Sequence, residues 1–90
     1  MNDISLETRL AQFAMTVDGH RCELDFSLGD QIMDIRSVRV PKAVGGRGLA
    51  GKLTRHALDW AQANSLRVRP TCPYVASWLE RHSEHPYDVV

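Results

Sequence analysis

Apolar and polar residues alternate along the first half of the chain and repeat at helical spacing along the second. Phe13, Met15 and Val17 alternate with Ala14 and Thr16, and Asp18-Gly19 follows. Asp-Gly between two alternating runs is the strongest short-range signal for a two-residue β-hairpin. His20 to Leu28 then alternates again, with Cys22, Leu24 and Phe26 in phase. A two-residue loop pairs Val17 with His20, Met15 with Cys22 and Phe13 with Leu24. Both apolar sets then fall on one face of the sheet, so turn and pattern agree on the register.

Gly29-Asp30 offers a second tight turn, with a third strand beginning at Gln31. That register sets Met33 opposite Phe26 and Ile35 opposite Leu24. Up to Ile35 the apolar residues of this run occupy odd positions, whereas Val38 and Val40 occupy even ones. In a half-buried strand such a slip, around Arg36-Ser37, is most simply a β-bulge. A bulge leaves backbone groups unpaired and bends the strand away from its neighbour.

Pro41 ends the third strand. Val44 to Lys52 (VGGRGLAGK) is a glycine-rich turn running into a helix. Leu49, Leu53, Ala57, Trp60 and Ala61 share one helical face, Lys52, Arg55, Asp59 and Gln62 point outward, and Asn64 is a stop signal. Leu66 to Arg69 is a short strand ended by Pro70. The intervening helix makes it a crossover, parallel to the third strand. Pro73 suits the first position of a second helix, with Val75, Trp78, Leu79 and His82 on one face. Ser83 to Val90 carries Pro86 and no period, so it reads as irregular, as do residues 1–8. The expected fold is α+β: three antiparallel strands with a bulge in the third, a helix, a parallel fourth strand and a short helix. Residues 1–90 form one domain, with no repeat and no linker.

Composition narrows the functional classes. Nine Arg and two Lys balance 11 acidic residues, for a formal net charge of zero. A strong electrostatic footprint for nucleic acid is therefore missing. No apolar run approaches a membrane span. The N-terminus lacks a basic segment followed by an apolar run, so no signal peptide is read and a cytoplasmic location is expected. Two cysteines do not make a disulfide scaffold. His82 and His85 lack a second ligand pair, so no metal site is expected. Cys22, Trp60 and Trp78 fall on apolar stripes and read as core.

The glycine turn, Gly45-Gly46-Arg47-Gly48-Leu49-Ala50-Gly51-Lys52, carries the first candidate chemistry. A glycine-rich turn opening a helix presents free backbone N–H groups at the positive end of the helix dipole, a geometry that binds phosphate. The spacing is neither a Walker A loop nor a dinucleotide fingerprint. Taken alone, a turn that needs glycines only for its backbone is an equal reading, but its position directly after a bulged strand raises the phosphate reading.

Cys72 lies between Pro70 and Pro73 and precedes the first residue of the second helix, so it is the N-cap. A helix N-terminus favours a thiolate, and the two prolines restrict the backbone on either side. A buried, inert cap cysteine is the alternative.

The segments VPKAVGGRGLAGKLTRHALDWAQ and RPTCPYVASWLERH together resemble the GNAT superfamily of N-acetyltransferases, and within it the small single-domain YjdJ-type branch. The likeness is strongest from Val40 to His82. The superfamily's phosphate motif, [Q/R]-x-x-G-x-[G/A], is met by Gly48 and Ala50, while Gly45 stands where Gln or Arg is usual. Arg47 is the cation beside it. A histidine of the small branch is matched by Ser37. The resemblance implies acetyl-coenzyme A as co-substrate, with its pantetheine arm along Val38, Arg39 and Val40 and its pyrophosphate on Gly45 to Lys52.

The implied activity is acetyl transfer to an amine, small molecule or protein. Two routes are open: through an acetylated Cys72, or by direct attack of the amine with Cys72 only lining the site. Tyr74 is implied as the acid that protonates the leaving thiolate, with helix packing as its alternative. Arg36, Arg39, Arg67 and Arg69 form a basic strip, solvated or in contact with the coenzyme's 3′-phosphate. A chain this short has no helices to wall in the acceptor, so the acceptor site is open or completed by a second copy, in a monomer or weak homodimer. The other functional class is a coenzyme A-binding module without catalysis, acting as a sensor or interaction partner.

Overall fold

The first hairpin folds as its turn chemistry dictates. In the computed structural model, which describes residues 3–90, Asp18 and Gly19 both adopt left-handed backbone, with φ of 49° and 78°. This is the twist a two-residue hairpin loop requires. The flanking strands, β2 (Gln12–Val17) and β3 (His20–Gly29), pair Val17 with His20, Met15 with Cys22 and Phe13 with Leu24, as expected. A short strand that the sequence pattern does not announce, β1 (Ser5–Glu7), adds antiparallel to β2. Three residues with one inward side chain, Leu6, are too few to display a period.

The second hairpin differs from expectation by two residues. β4 (Ile32–Arg39) pairs Leu28 with Met33 and Phe26 with Ile35, because the loop is Asp30-Gln31, with φ of 52° and 61°, rather than Gly29-Asp30. A two-residue shift preserves which face each side chain occupies. It also gives Leu28 an apolar partner, where the expected register would set it opposite Gln31. The bulge falls where the period slips: Asp25 pairs with Ser37 and Phe26 with Ile35, leaving Arg36 as the extra residue. Beyond it Val38 lies opposite Leu24 and returns to the core face.

Helix α1 (Leu49–Ala63) ends at Asn64, and the crossover brings β5 (Arg67–Pro70) parallel to β4. Helix α2 (Pro73–Arg81) follows, with Cys72 at its N-cap. The sheet order is β1-β2-β3-β4-β5. Both helices pack on one face, and one core joins Phe13, Leu24, Met33 and Ile35 of the sheet to Leu53, Ala57, Leu58, Val75 and Trp78 of the helices. Cys22 and Cys72 are both buried free thiols.

The tail is not irregular throughout. Val89 bridges Val68 in parallel fashion, through bonds from Val68 N–H to the Asp88 carbonyl (2.8 Å) and from Val90 N–H to the Val68 carbonyl (2.9 Å). Tyr87 is buried against the core, and its hydroxyl donates to Asp59 of α1. Burial, followed by the Asp59 carboxylate, pushes its pKa up to about 12. An edge strand with unpaired N–H groups is a template for more chain, and the tail satisfies β5 at a single residue, a contact too local to leave a period. Among the described residues no helix is long and apolar enough to cross a membrane.

Candidate active site

The bulge and the end of β5 open one edge of β4. β5 pairs with β4 only from Ile32 to Ile35, and its last partner is Pro70, which has no N–H to continue a ladder. The chain then turns away into α2. The Cys72 N–H closes the vertex on the Ile35 carbonyl (2.9 Å), and the Thr71 hydroxyl donates to the Asp34 carboxylate. Past this vertex β4 continues from Arg36 to Arg39 with β3 on one side and, among the described residues, no strand on the other. The opening is a wedge whose floor is extended backbone, the shape into which an amide-bearing chain adds as a further strand.

The glycine turn sits at the far end of this edge. Val44 and Leu49, both buried, pin it at either side. Gly46 (φ 75°) and Gly48 (φ 72°) hold left-handed backbone, and a Cβ at either would meet nothing within 4 Å. Glycine is therefore required there for conformation, and the space above the backbone is open. Gly48 is the N-cap of α1 and offers no side chain, and the first turn contains no acidic residue. The helix's own ladder begins with Lys52 N–H to Gly48 carbonyl (3.1 Å), so the N–H groups of Leu49, Ala50 and Gly51 lack helical acceptors. This end of α1 suits an anion. Arg47 does not lie over it in this structure; its guanidinium binds Asp18 of the first hairpin turn at 2.7 Å.

Gly51 has a separate reason to be glycine. A Cβ there would stand 3.4 Å from the Tyr74 hydroxyl and 3.7 Å from Trp78 Nε1. The first turn of α1 thus packs directly on the first turns of α2, bringing the Tyr74 hydroxyl beside the glycine turn. Tyr74 is half-buried, with the Arg81 guanidinium 5.7 Å from its ring centre. The Cys72 side chain is turned inward: the residue is 5% exposed and belongs to the hydrophobic core. Its sequence position beside the wedge is as expected, but its thiol is not open to solvent.

The opposite face of the sheet bears an ionic network that runs to the bulge. Arg39 bridges Glu23 (2.6 Å) and Asp25, Ser37 donates to Asp25 (3.0 Å), and Arg21 pairs with Glu23 (2.6 Å). Arg21 and then Arg39 hold the Glu23 carboxyl below the usual carboxylate range, and Arg39, Gln12 and Ser37 do the same for Asp25. The carboxylates in turn raise the Arg39 pKa, Asp25 most strongly. Arg36 pairs with Asp34 (3.2 Å) and Arg67 with Asp88 (3.4 Å). Three of the four arginines of the expected basic strip are therefore neutralised by neighbours. Sequence reasoning missed this network because its centre, Arg39 with Glu23 and Asp25, meets only across strands.

The bulged strand with one free edge thus leads directly into a glycine turn that opens a helix. The family model described as GCN5-related N-acetyl-transferase matches residues 12–89, and the chain belongs to that family. Among curated relatives, Protein NATD1 of Bos taurus is 32% identical over 79 residues, covering 84% of this chain and 70% of the relative. Protein NATD1 of Homo sapiens is 30% identical over the same lengths. Protein NATD1 of Gallus gallus is 33% identical over 55 residues, 61% of this chain and 50% of the relative.

Proposed function

We propose that the protein transfers the acetyl group of acetyl-coenzyme A to an amine by direct attack. The observation that carries this reading is the coincidence, within one segment, of the free β4 edge past Arg36 and the open N-terminus of α1. The pantetheine amides of the donor pair with backbone from Val38 to Val40. The pyrophosphate rests on the N–H groups that follow Gly48, with Gly45, Gly46, Arg47 and Lys52 around it. The thioester then lies toward the vertex at Ile35 and Cys72. There the amine nitrogen bonds to the carbonyl carbon, the C–S bond breaks, and the amine's surplus proton passes to water. Tyr74, beside Gly51, gives the departing thiolate its hydroxyl proton and regains one from solvent. Burial of Cys72 supports direct attack over an acetylated cysteine, since a thiol in the core reaches a thioester only if α2 moves.

Calorimetric titration with acetyl-coenzyme A and coenzyme A tests the donor site. Both should bind saturably. Gly48→Glu should abolish binding, because it forces a side chain and a like charge onto the anion site. Absence of binding in the parent protein would sink the reading. Binding without turnover of any amine would leave a coenzyme A-binding module. Intact mass after incubation with acetyl-coenzyme A should show no added acetyl group that Cys72→Ala removes; such an adduct would reinstate the cysteine route.

A further inference from the structure

Apolar side chains that the helices leave uncovered gather at the β1 edge of the sheet. The two helices pack over β2 to β5, and β1 runs into a single 3-10 turn, Thr8–Leu10, beyond their reach. Leu10 is 62% exposed and Leu28 54%. Leu28 lines a cleft of about 230 Å³ together with Leu6, Thr8, Ala11, Phe26 and Trp60, and Leu10 precedes Ala11 in the chain. A single exposed leucine is ordinary, but leucines that continue into an apolar cleft mark an interaction surface.

The segment along the cleft shows which partner fits. Leu6-Glu7-Thr8-Arg9-Leu10 reads apolar, acidic, polar, basic, apolar. Laid antiparallel on a second copy about Thr8, it complements itself: Leu6 meets Leu10, Glu7 meets Arg9 and Thr8 meets Thr8. The same five residues line one surface depression next to the cleft. Glu7 adds to the field that raises the Arg21 pKa. Among the described residues, however, neither Glu7 nor Arg9 has an opposite charge within 4.0 Å. Both are free to pair across a two-fold axis, where every contact occurs twice. The segment is also held in shape. Ala11 takes left-handed backbone (φ 51°), its N–H donates to the Thr8 carbonyl (3.3 Å), and its carbonyl accepts the Phe26 N–H (3.0 Å). A surface ordered in advance loses little freedom on association.

We infer that this face binds a second copy of the chain in an isologous contact centred on Thr8, with Leu10 of each protomer entering the other's cleft. The inference is independent of the donor reading. β1 is the strand farthest from the wedge beside β4 and β5, so a dimer formed here leaves the acceptor side open. The patch is smaller than the roughly 20–30 residues a side of a standard interface, and association in the micromolar range follows.

Sedimentation equilibrium of the whole chain over a range of concentrations is the test. The parent should pass from monomer to dimer in the micromolar range. Leu10→Asp should leave only monomer and, because Leu10 is exposed, should melt at the parent temperature. If that variant does not melt cooperatively, Leu28→Asp carries the same test. Glu7→Arg and Arg9→Glu should each weaken association about tenfold or more, since each sets like charges opposite one another twice per dimer. The variant with both changes should recover the parent affinity within about threefold, a rescue that a merely local disturbance of the surface would not produce. A parent that is still monomeric at about 1 mM overturns the inference. So does a dimer that persists in folded Leu10→Asp, or a double variant as weak as the single ones.

Discussion

The two halves of β4 make opposite use of the same kind of chain. From Ile32 to Ile35 the strand lies between β3 and β5, and Met33 and Ile35 are completely buried. From Ser37 to Arg39 it has a neighbour on one side, and Val38 is only half-buried. One residue, Arg36, separates them. The comparison teaches that a strand is left with a free edge by ending its neighbour and inserting one residue. Backbone that completes the sheet in the first half has a free edge in the second.

Three experiments break or sharpen that contrast. Ile35→Ala, in the closed half, should destabilise the protein by about 2–5 kcal/mol, since a fully buried side chain leaves a cavity at the junction of sheet and α2. Urea denaturation measures it, and a loss near zero would mean that the closed half does not carry the core.

Deleting Arg36 should act the other way. Ile35, Ser37 and Val38 would then alternate in, out and in, opposite Phe26, Asp25 and Leu24. Stability should change by about 1 kcal/mol or less, while coenzyme A affinity should fall about tenfold or more as the opened edge straightens. Unchanged affinity would show that the wedge comes from Pro70 alone.

The smallest effect lies in the ionic network beneath the open half. Glu23 and Asp25 have pKa values below the ordinary range in the folded chain. Their contribution is therefore complete above the unfolded carboxylate value of about 4, and it is lost as pH falls through the lower folded values. Asp25→Asn should reduce this acid sensitivity by about 1 kcal/mol or less, because Arg39 is half-exposed and solvent screens the pair. Denaturation curves at neutral pH and near pH 3 give the difference. An unchanged pH dependence would detach Asp25 from the network.

Much of this arrangement is legible in the order of residues. Asp18-Gly19 set one hairpin because few residue pairs accept two positive φ angles. The parity slip between Ile35 and Val38 marked the bulge, because a half-buried strand cannot hide a change of face. Pro41, Pro70, Pro73 and Asn64 punctuated the elements, and the glycine turn with the segments that resemble the GNAT superfamily pointed to the donor site. The second hairpin's register was less legible. Asp30-Gln31 is a weaker turn signal than a glycine pair, and a two-residue shift leaves every side chain on the same face, so the apolar pattern does not separate the two registers.

Sequence alone determined the features set by local backbone chemistry and by the period of apolar positions: the α+β order, the bulge, the two helices and the glycine turn that opens the first of them. Tertiary structure decided what depends on residues far apart in the chain. It turned the Cys72 thiol into the core and drew the tail onto Val68. It neutralised Arg39 with carboxylates from the neighbouring strand and Arg67 with one from the tail. It left Arg55 and Arg81 on aromatic rings around a cavity. The physical reason is that periodicity reports which face a side chain takes. Charge pairing and burial depend on what the fold brings opposite that face.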